Sequence, residues 1–335
     1  MNRSKIKGMF LGTAIGDALG MPVETFAPDR IKEVYPETKG TVTEYLVPHG
    51  HKWFDGREAG TWTDDTQLTL AVAESLIEAG LDMDAQVKKH IEAFNESTSA
   101  WGGTTRKAVR NLCNGASWEK SGLWKDRKGR GNGVAMKIAP LAAYVRFAIN
   151  HADDVDAVKK VFTFVRNFTV MTHCTEMAVC ASFAQLVALY TCLGEKVDVE
   201  KLPLHIKQAG YRGREYANLV GESDDICQQL ELLANHDGYN DERIIKEFGG
   251  GNCYCYNSIP FSLMFFLRKP HSIEALYDVV SAGGDADTNG AMVGALLGAL
   301  NGVEIFPEHL ISGLDQADKI ISVADRFYEC IGEDE

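Results

Sequence analysis

The chain of 335 residues is 45% hydrophobic and 24% charged, a composition typical of an ordinary globular protein with a large core. Its formal net charge of −13 argues against general binding of nucleic acids or anionic membranes, because such partners attract basic surfaces. The N-terminal segment lacks the long apolar core of a signal peptide, and the longest apolar run, near 291–300, is too short to span a bilayer. We therefore expect a cytoplasmic protein with no membrane partner.

The predicted elements are almost all helical. Residues 41–47, TVTEYLV, alternate as a strand does and are the best candidate for a short hairpin strand, with a loop as the alternative. Helices are predicted where apolar residues recur every three to four positions or helix formers run together. These segments are 67–80, 84–94, 134–149, 154–168, 175–193, 226–234, 258–267, 272–280 and 290–301. The predicted fold class is therefore all-α.

Residues 195–245 are less patterned than the rest of the chain. They contain Pro203, Gly210, Gly213 and several charges, which is typical of an insertion or a surface layer. Glycine-rich segments near both ends of the chain are expected to serve one site. We therefore predict a single compact domain over residues 1–335, and a monomer.

Eight cysteines are scattered through the chain without a secretion signal, which favours reduced thiols. Cys253 and Cys255 form the closest pair, but no second pair and no histidine stand at zinc-finger spacing from them. A structural zinc site is therefore not expected.

Two glycine stripes mark the ends of the chain. Each glycine costs a helix about 1 kcal/mol relative to alanine, so such stripes need a packing or functional reason. We expect both segments to be buried helices that pack backbone to backbone at the centre of the protein. This packing would bring residues 17–24 close to residues 285–288. The stripes consist of Gly8, Gly12, Gly16 and Gly20, and of Gly290, Gly294, Gly298 and Gly302.

Two carboxylate clusters are the most informative feature of the sequence. The first acidic cluster is Thr63-Asp64-Asp65-Thr66, and the second is Asp285-Ala286-Asp287-Thr288. Each precedes a helical pattern, so each fits a helix cap when considered alone. Neither has a lysine or arginine within four residues, and crowded carboxylates repel one another unless cations neutralise them. Because carboxylate and hydroxyl oxygens suit hard divalent ions, the pair of clusters indicates a metal site.

Six segments of the chain, taken in order, carry a resemblance to a known family. They are GTAIGDALGMPVE (12–24), GTWTDDTQLTLAVAESL (60–76), GRGNGVAMKIAPLA (129–142), THCTEMAVCAS (172–182), GGGNCYCYNSIPFSL (249–263) and SAGGDADTNGAMVGALLGALNG (281–302). Together they resemble the ADP-ribosylglycohydrolase family over nearly the whole chain. Each segment alone is only suggestive, whereas the six in this order are highly specific.

The resemblance implies a compact all-α fold with two divalent metal ions, Mg²⁺ or Mn²⁺, at the bottom of a cleft. It also implies hydrolysis of the glycosidic bond between ADP-ribose and an acceptor, which is a protein side chain or a small molecule, with ADP-ribose as product. In such a site, metals bind ribose hydroxyls and orient or acidify a water next to the anomeric carbon. Carried over by resemblance, the metal ligands are Thr63, Asp64, Asp65, Asp285, Asp287 and Thr288.

The resemblance suggests three carboxylates for proton transfer. Asp64 and Asp65 are candidates from the first acidic cluster, and Glu24 matches a position where some members of the family place an essential glutamate. Taken alone, Glu24 would be a solvated acid in a loop after Pro22. Whether it acts as acid, as base or as a ligand of metal-bound water stays open at this stage.

Substrate contacts are expected from glycine-rich segments. Asn132 and Gly133 precede a helix predicted to begin near Val134, and backbone N–H groups at a helix start favour an anion such as a pyrophosphate. An Asn-Gly turn with a helix cap is the alternative. Further candidates are His173, Tyr254 as a ring that stacks on adenine, and Gly284. The basic stretch from Glu119 to Arg130 is either a steering surface for an anionic ligand or a solvated loop; its cations are Lys120, Lys125, Arg127, Lys128 and Arg130.

Two alternative functions remain open. One is an inactive or ADP-ribose-binding relative, since the family fold is shared with a jellyfish lens crystallin. Retention of every metal-ligand position argues against it. The other is a metal-dependent phosphoesterase, in which paired metals clamp a phosphate oxygen.

Overall fold

The computed structural model describes residues 2–123, 129–150, 155–219 and 224–332. Within these ranges the chain forms α-helices and short 3-10 helices joined by loops, and it contains no sheet. The predicted all-α fold class is therefore confirmed. Of the basic stretch, Lys125, Arg127 and Lys128 lie outside the described residues.

The α-helices are numbered here in chain order. They are α1 (Arg3–Gly20), α2 (Pro28–Val34), α3 (Asp64–Ala79), α4 (Met83–Glu96), α5 (Gly103–Cys113), α6 (Trp118–Ser121), α7 (Ala139–Asn150), α8 (Val155–Val170), α9 (Glu176–Cys192), α10 (Leu202–Ala217), α11 (Ile226–Glu231), α12 (Asp241–Glu247), α13 (Cys255–Arg268), α14 (Glu274–Ser281), α15 (Ala286–Asn301), α16 (Glu308–Ser312) and α17 (Ala317–Gly332).

Helices α1 and α15 pack backbone to backbone, as the glycine stripes predict. A Cβ atom on Gly12 would lie 2.1 Å from the carbonyl oxygen of Gly294, and a Cβ on Gly294 would lie 2.0 Å from that of Gly12. The same close approach continues to Gly20, where a Cβ would lie 2.2 Å from the carbonyl oxygen of Ala286. The end of α1 therefore meets the start of α15, and residues 17–24 lie beside the second acidic cluster.

Of the two structures predicted for residues 41–47, a hairpin strand or a loop, the structure shows the loop. No neighbouring strand pairs with it in the described chain. Its polar groups instead bond to helices: the Val42 amide donates to Ser281 Oγ at 2.9 Å, and the Tyr45 hydroxyl donates to the Leu310 carbonyl at 2.7 Å.

Helix α10 is an element that the sequence pattern did not predict. Its Gly213 packs on α9, where a Cβ would lie 2.9 Å from the Cα of Cys180, and its Gly210 approaches Leu230. These glycines are close contact points inside a helix, not breaks in it. The helix predicted from residue 134 is also divided, because a 3-10 turn over Ala135–Lys137 precedes α7. Pro140, which has no N–H, fits the first turn of α7.

Buried apolar side chains form one connected cluster that runs from Ile6 in α1 to Ile331 in α17. Helices α1, α9, α13 and α15 contribute many of its fully buried members. No helix among the described residues has both the length and the apolar character needed to cross a membrane.

Candidate metal and substrate site

A cleft of about 590 Å³ brings most of the predicted site residues together. Its walls come from residues 24–28 after α1, from Trp53, from the starts of α3 and α15, from residues 100–105 at the start of α5, and from the loops at 131–133 and 249–253. A larger groove of about 1330 Å³ lies among α7, α8, α9 and α10, but neither acidic cluster lines it. Chemistry, not size, therefore marks the smaller cleft as the candidate site.

Asp17 of α1 fixes the position of the first acidic cluster. Its buried carboxylate accepts the amide N–H groups of Thr63 and Thr66, at 2.9 and 3.0 Å, and the hydroxyl of Thr66 at 2.6 Å. Amide groups at a helix start lack partners within the helix, so a carboxylate there satisfies them. Here the cap comes from another helix, which locks the start of α3 onto α1.

The two acidic clusters meet at Asp65. Its Oδ2 atom accepts the hydroxyls of Thr63 and Thr288, each at 3.3 Å, so residues from both clusters share one carboxylate. Its other oxygen, Oδ1, is buried and has no hydrogen-bond partner among the described residues. A buried carboxylate oxygen without a donor is costly unless a cation lies against it.

Carboxylate oxygens form two triads that share one residue. Oxygens of Asp17, Asp65 and Asp287 lie within 4.8 Å of one another, and so do oxygens of Glu24, Asp285 and Asp287. All donors are oxygens, which is the ligand type of Mg²⁺, Ca²⁺ and Mn²⁺. Together with the orphaned oxygen of Asp65, this donor set fits hard divalent cations.

Burial and mutual repulsion raise the pKa values of these acids. Burial, with Asp285 and Asp64 nearby, raises the pKa of Glu24 to about 8. Burial likewise raises the pKa of Asp64 to about 7 and that of Asp285 to about 6. The pKa values of Asp65 and Asp287 are raised well above their usual range, again chiefly by burial. The site therefore favours protons or metal cations as partners.

Lys137 is buried, and its amine interacts electrostatically with Asp64 and Asp65 of the first acidic cluster. Burial lowers the pKa of its amine to about 7, although the charges of Asp64 and Asp65 act to raise that pKa. Its Nζ atom has no hydrogen-bond partner in the described part of the chain and lies 5.8 Å from the ring centre of Phe168. One amine cannot neutralise all six carboxylates of the site, so further cations are needed to balance their charge. The six are Asp17, Glu24, Asp64, Asp65, Asp285 and Asp287.

The remaining predicted ligand, Asp64, lines the cleft but belongs to neither triad. The backbone N–H groups of Asp64 itself and of Gly102 favour the ionised form of this carboxyl and so oppose the rise of its pKa. The structure thus places Asp17 and Glu24 in the triads beside Asp65, Asp285 and Asp287. Asp17 was not predicted as a site residue. The sequence feature that could have indicated it is a single acid inside a glycine-striped apolar helix.

Asn132 supports the second acidic cluster. Its side-chain amide donates to Asp285 Oδ2 at 2.6 Å and to Ser258 Oγ at 2.9 Å, while its backbone N–H donates to the Cys253 carbonyl at 3.0 Å. The backbone N–H of Asn132 therefore already has an acceptor and is not available to a ligand. A pyrophosphate in this loop would have to rely on neighbouring groups such as the Gly133 N–H.

His173 and Gly133 line the cleft side by side. A Cβ atom on Gly133 would lie 2.9 Å from Thr105 Oγ1 and 3.0 Å from His173 Cε1, so only glycine fits without movement. Burial lowers the pKa of His173 to about 3, so the ring is neutral. Its Nδ1 atom is hydrogen-bonded to the Thr172 hydroxyl at 2.9 Å.

Gly284 lines the cleft, whereas Tyr254 does not. Gly284 adopts φ +71°, and a Cβ there would lie 1.9 Å from the Gly250 carbonyl oxygen. The Tyr254 hydroxyl donates to Asp224 at 2.6 Å, and its ring stacks on Tyr256. The side chain of Tyr254 is thus held by partners outside the cleft lining.

Comparison with known proteins identifies the family. The family model described as ADP-ribosylglycohydrolase matches residues 1–335, the full length of the chain. The chain belongs to the ADP-ribosylglycohydrolase family. The resemblance inferred from six sequence segments is therefore confirmed, and the family supports an enzyme that hydrolyses glycosidic bonds of ADP-ribose conjugates.

Individual ADP-ribosylglycohydrolases and their relatives match nearly end to end. The chain is 24% identical to ADP-ribosylarginine hydrolase Tri1 of Serratia proteamaculans, over 99% of this chain and 81% of that protein. It is 23% identical to ADP-ribosylhydrolase ARH3 of Mus musculus, over 97% and 92% respectively. A solved structure described as an ADP-ribosylglycohydrolase-related protein complex superposes with a TM-score of 0.71, at 26% identity and 98% coverage of both chains.

Proposed function

We propose that this protein releases ADP-ribose from an acceptor by hydrolysis of the glycosidic bond, using two divalent ions, Mg²⁺ or Mn²⁺. The observation that supports the proposal is the pair of carboxylate triads that share Asp287 in a cleft. A single carboxylate between two triads suits a two-metal arrangement, in which neighbouring ions are about 3.5–4 Å apart. The acceptor is a protein side chain or a small molecule.

The residues proposed to hold the ions are the six ligands predicted from the sequence, joined by Asp17 of the first triad, whereas Glu24 of the second triad is kept for proton transfer. The six are Thr63, Asp64, Asp65, Asp285, Asp287 and Thr288. Bound divalent ions would orient ribose hydroxyls and lower the pKa of a coordinated water. Asp17 holds the start of α3 and Asn132 holds Asp285, so both ligand clusters are oriented before any ligand arrives. Such fixed donors cost little reorganisation during the reaction.

Glu24 is proposed as the proton-transfer group. In the hydrolysis, a bond forms between a water oxygen and the anomeric carbon, the bond from that carbon to the acceptor breaks, and the acceptor leaves with a proton. Glu24 lines the cleft and lies close to Asp285 and Asp287, so its carboxyl is placed to supply or take up this proton beside the bound ribose. Asp64 and Asp65 are second candidates for the same step.

The neutral ring of His173 and the close approach at Gly133 would serve the substrate. Because Gly133 has no side chain, a ligand can approach its backbone closely. His173 and Thr105 pack against Gly133 so tightly that a Cβ atom would not fit there. Because the Asn132 amide is occupied, the Gly133 N–H is the proposed donor to the pyrophosphate. Gly284 also lines the cleft, and its lack of a side chain lets it pack on the backbone of Gly250, so it is proposed as a further substrate contact.

The proposed function is tested by mass spectrometry on a panel of ADP-ribosylated acceptors. Arginine, serine and nucleobase conjugates and O-acetyl-ADP-ribose would be incubated with the protein in Mg²⁺, in Mn²⁺ or in EDTA. We expect free ADP-ribose from at least one acceptor, with a metal ion and not in EDTA. Release of AMP or ribose phosphate would instead identify a phosphoesterase, and no release from any acceptor would favour a binding protein.

A further inference from the structure

The loop between α2 and α3 carries an aromatic segment that reaches Glu24. We name residues 51–55 the His51 loop. His51 is buried, with 3% of its surface exposed, and its ring stacks on Phe54 at 4.6 Å between ring centres with 14° between the planes. Trp53 in the same loop is 55% exposed and lines the cleft together with Glu24.

The contacts of His51 determine which ring nitrogen carries the proton. The backbone N–H of Trp53 points to Nδ1 at 3.2 Å, and a backbone amide only donates, so Nδ1 is the acceptor. Nε2 lies 2.9 Å from the carbonyl oxygen of Glu24, which only accepts, so Nε2 carries the hydrogen. His51 therefore joins the backbone of Glu24 to the backbone of Trp53 through a single neutral ring.

The backbone next to Glu24 is held in an unfavourable conformation. Thr25 has φ +65°, in the left-handed region that non-glycine residues rarely adopt. Such a conformation persists only where surrounding bonds fix it. On one side, the Thr25 N–H donates to the Gly284 carbonyl at 2.5 Å and the Gly284 N–H donates to the Phe26 carbonyl at 3.0 Å. On the other side, His51 donates to Glu24.

We propose that His51 is a positioning residue that sets the orientation of the Glu24 carboxyl through its bond to the Glu24 backbone, while its bond to Trp53 fixes which ring nitrogen is the donor. The inference rests on the proposed function for the role of Glu24 in turnover. Its geometric basis is independent of turnover: one side chain bridges a loop that lines the cleft and a strained backbone turn that carries a cleft carboxyl.

Two substitutions separate the two bonds of the ring. Gln has an amide nitrogen near the position of Nε2, so H51Q keeps a donor for the Glu24 carbonyl and loses the acceptor for Trp53. Asn has an oxygen near the position of Nδ1, so H51N keeps the acceptor and loses the donor. Each variant loses one hydrogen bond, so similar melting temperatures are expected for both.

We expect H51N to lower kcat at least ~10-fold with KM changed less than ~3-fold, and H51Q to keep kcat within ~3-fold of the parent, since small misplacement of a reacting group is costly. In the E24Q background, H51N should change the residual kcat by less than ~2-fold, because residues that act as a unit are not additive. His49 is the matched control. It contacts the carbonyls of Val47 and Val34 and not that of Glu24, so H49Q should resemble the parent.

Spectroscopy tests the inference without turnover. Long-range ¹H–¹⁵N spectra of the substrate-free protein should show His51 with hydrogen on Nε2, and the amide signals of Glu24 and Thr25 should shift in H51N but not in H51Q. Hydrogen on Nδ1, equal effects of H51N and H51Q, or an H51N effect that persists in E24Q would overturn the inference. Failure of the parent to release ADP-ribose would overturn the proposed function alone, since the spectra still decide the role of His51.

Discussion

The two walls of the cleft are built in different ways. The helix wall is the start of α15, with Asp285 as its cap and Asp287 in its first turn, and it is backed by α1, which carries Asp17 and touches α15 through the backbone. The loop wall consists of residues 24–26 and the His51 loop, which are held by hydrogen bonds between side chains and backbone and by stacked rings. Between α1 and α15 there is no room for even one Cβ atom at Gly12 or Gly294, whereas Trp53 on the loop wall is more than half exposed.

The difference fits the demands of the proposed chemistry. Cation ligands need fixed positions, because two triads share one carboxylate and a small displacement would disturb both. Backbone contact between helices gives that rigidity. The wall that meets a variable acceptor needs some freedom at its surface, and a loop with an exposed Trp53 supplies it, while His51 holds Glu24 itself in place. Breaking each wall should therefore give a different loss.

The largest effect is expected from filling the helix wall. In G294V, the new side chain would begin 2.0 Å from the Gly12 carbonyl oxygen, a backbone atom that cannot move away within a rigid helix. We expect the variant not to fold, measured as loss of helical circular dichroism or recovery only in inclusion bodies. The control is G103A, because a Cβ on Gly103 meets nothing within 4 Å, and its melting temperature should stay at or above that of the parent. A cooperatively folded G294V would show that the backbone contact is dispensable.

Removing one carboxylate from the two triads should abolish turnover while the fold is retained. D65N and D287N each delete one charge from a triad, so we expect the rate of ADP-ribose release to fall at least ~10³-fold. In EDTA both variants should melt at or above the parent temperature, because less repulsion remains among buried acids. D29N, whose side chain is fully exposed, serves as the matched control. Turnover within a few-fold of the parent in D65N or D287N would exclude the metal-centred proposal.

The metal-free protein should lose stability as pH rises. The native pKa values of Glu24, Asp64 and Asp285 are raised to about 8, 7 and 6, above their ordinary values near 4. Between about pH 4 and pH 8, the native state therefore binds more protons than the unfolded state, so the free energy of unfolding falls with pH. We expect the melting temperature in EDTA to drop by at least ~5 °C from about pH 5.5 to about pH 8.5.

Excess Mg²⁺ should reduce that drop, because cations replace the protons as partners of the carboxylates. The measurement is a pair of thermal melts at each pH, with EDTA and with Mg²⁺. A melting temperature in EDTA that rises over the same pH range would mean that these acids are not jointly buried in the native protein.

The sequence predicted the helix wall better than the loop wall, for a physical reason. Glycine every fourth residue has one strong explanation in a buried helix, which is close backbone contact, so the meeting of α1 with α15 could be inferred. Loop contacts have no such period. His51 bonds to backbone atoms of Glu24 and Trp53. Every residue type has these backbone atoms, so the sequence does not show which residues His51 contacts.

Glycine also misled the prediction elsewhere. In α10, Gly210 and Gly213 resemble helix breakers in the sequence, yet they are contact points against neighbouring chain segments. Asp17 was visible as an acid in a buried helix, but its role depends on amides of α3 that lie 46 and 49 residues away. Long-range capping of this kind cannot be read from local spacing.

The smallest effect is expected at Tyr254, a residue that the sequence suggested for stacking on adenine. Its hydroxyl bonds to Asp224, its ring lies on Tyr256, and its side chain does not line the cleft. We therefore expect Y254A to change the Kd for ADP-ribose by less than ~3-fold, measured by calorimetry with excess Mg²⁺. G133A is the comparison on the cleft lining, where a Cβ would press on Thr105 and His173, and its Kd should rise at least ~10-fold. If Y254A weakened binding as much as G133A, the ring would have to leave Asp224 and Tyr256 and turn into the cleft when ADP-ribose binds, and the cleft would have a third, mobile wall beside the helix wall and the loop wall.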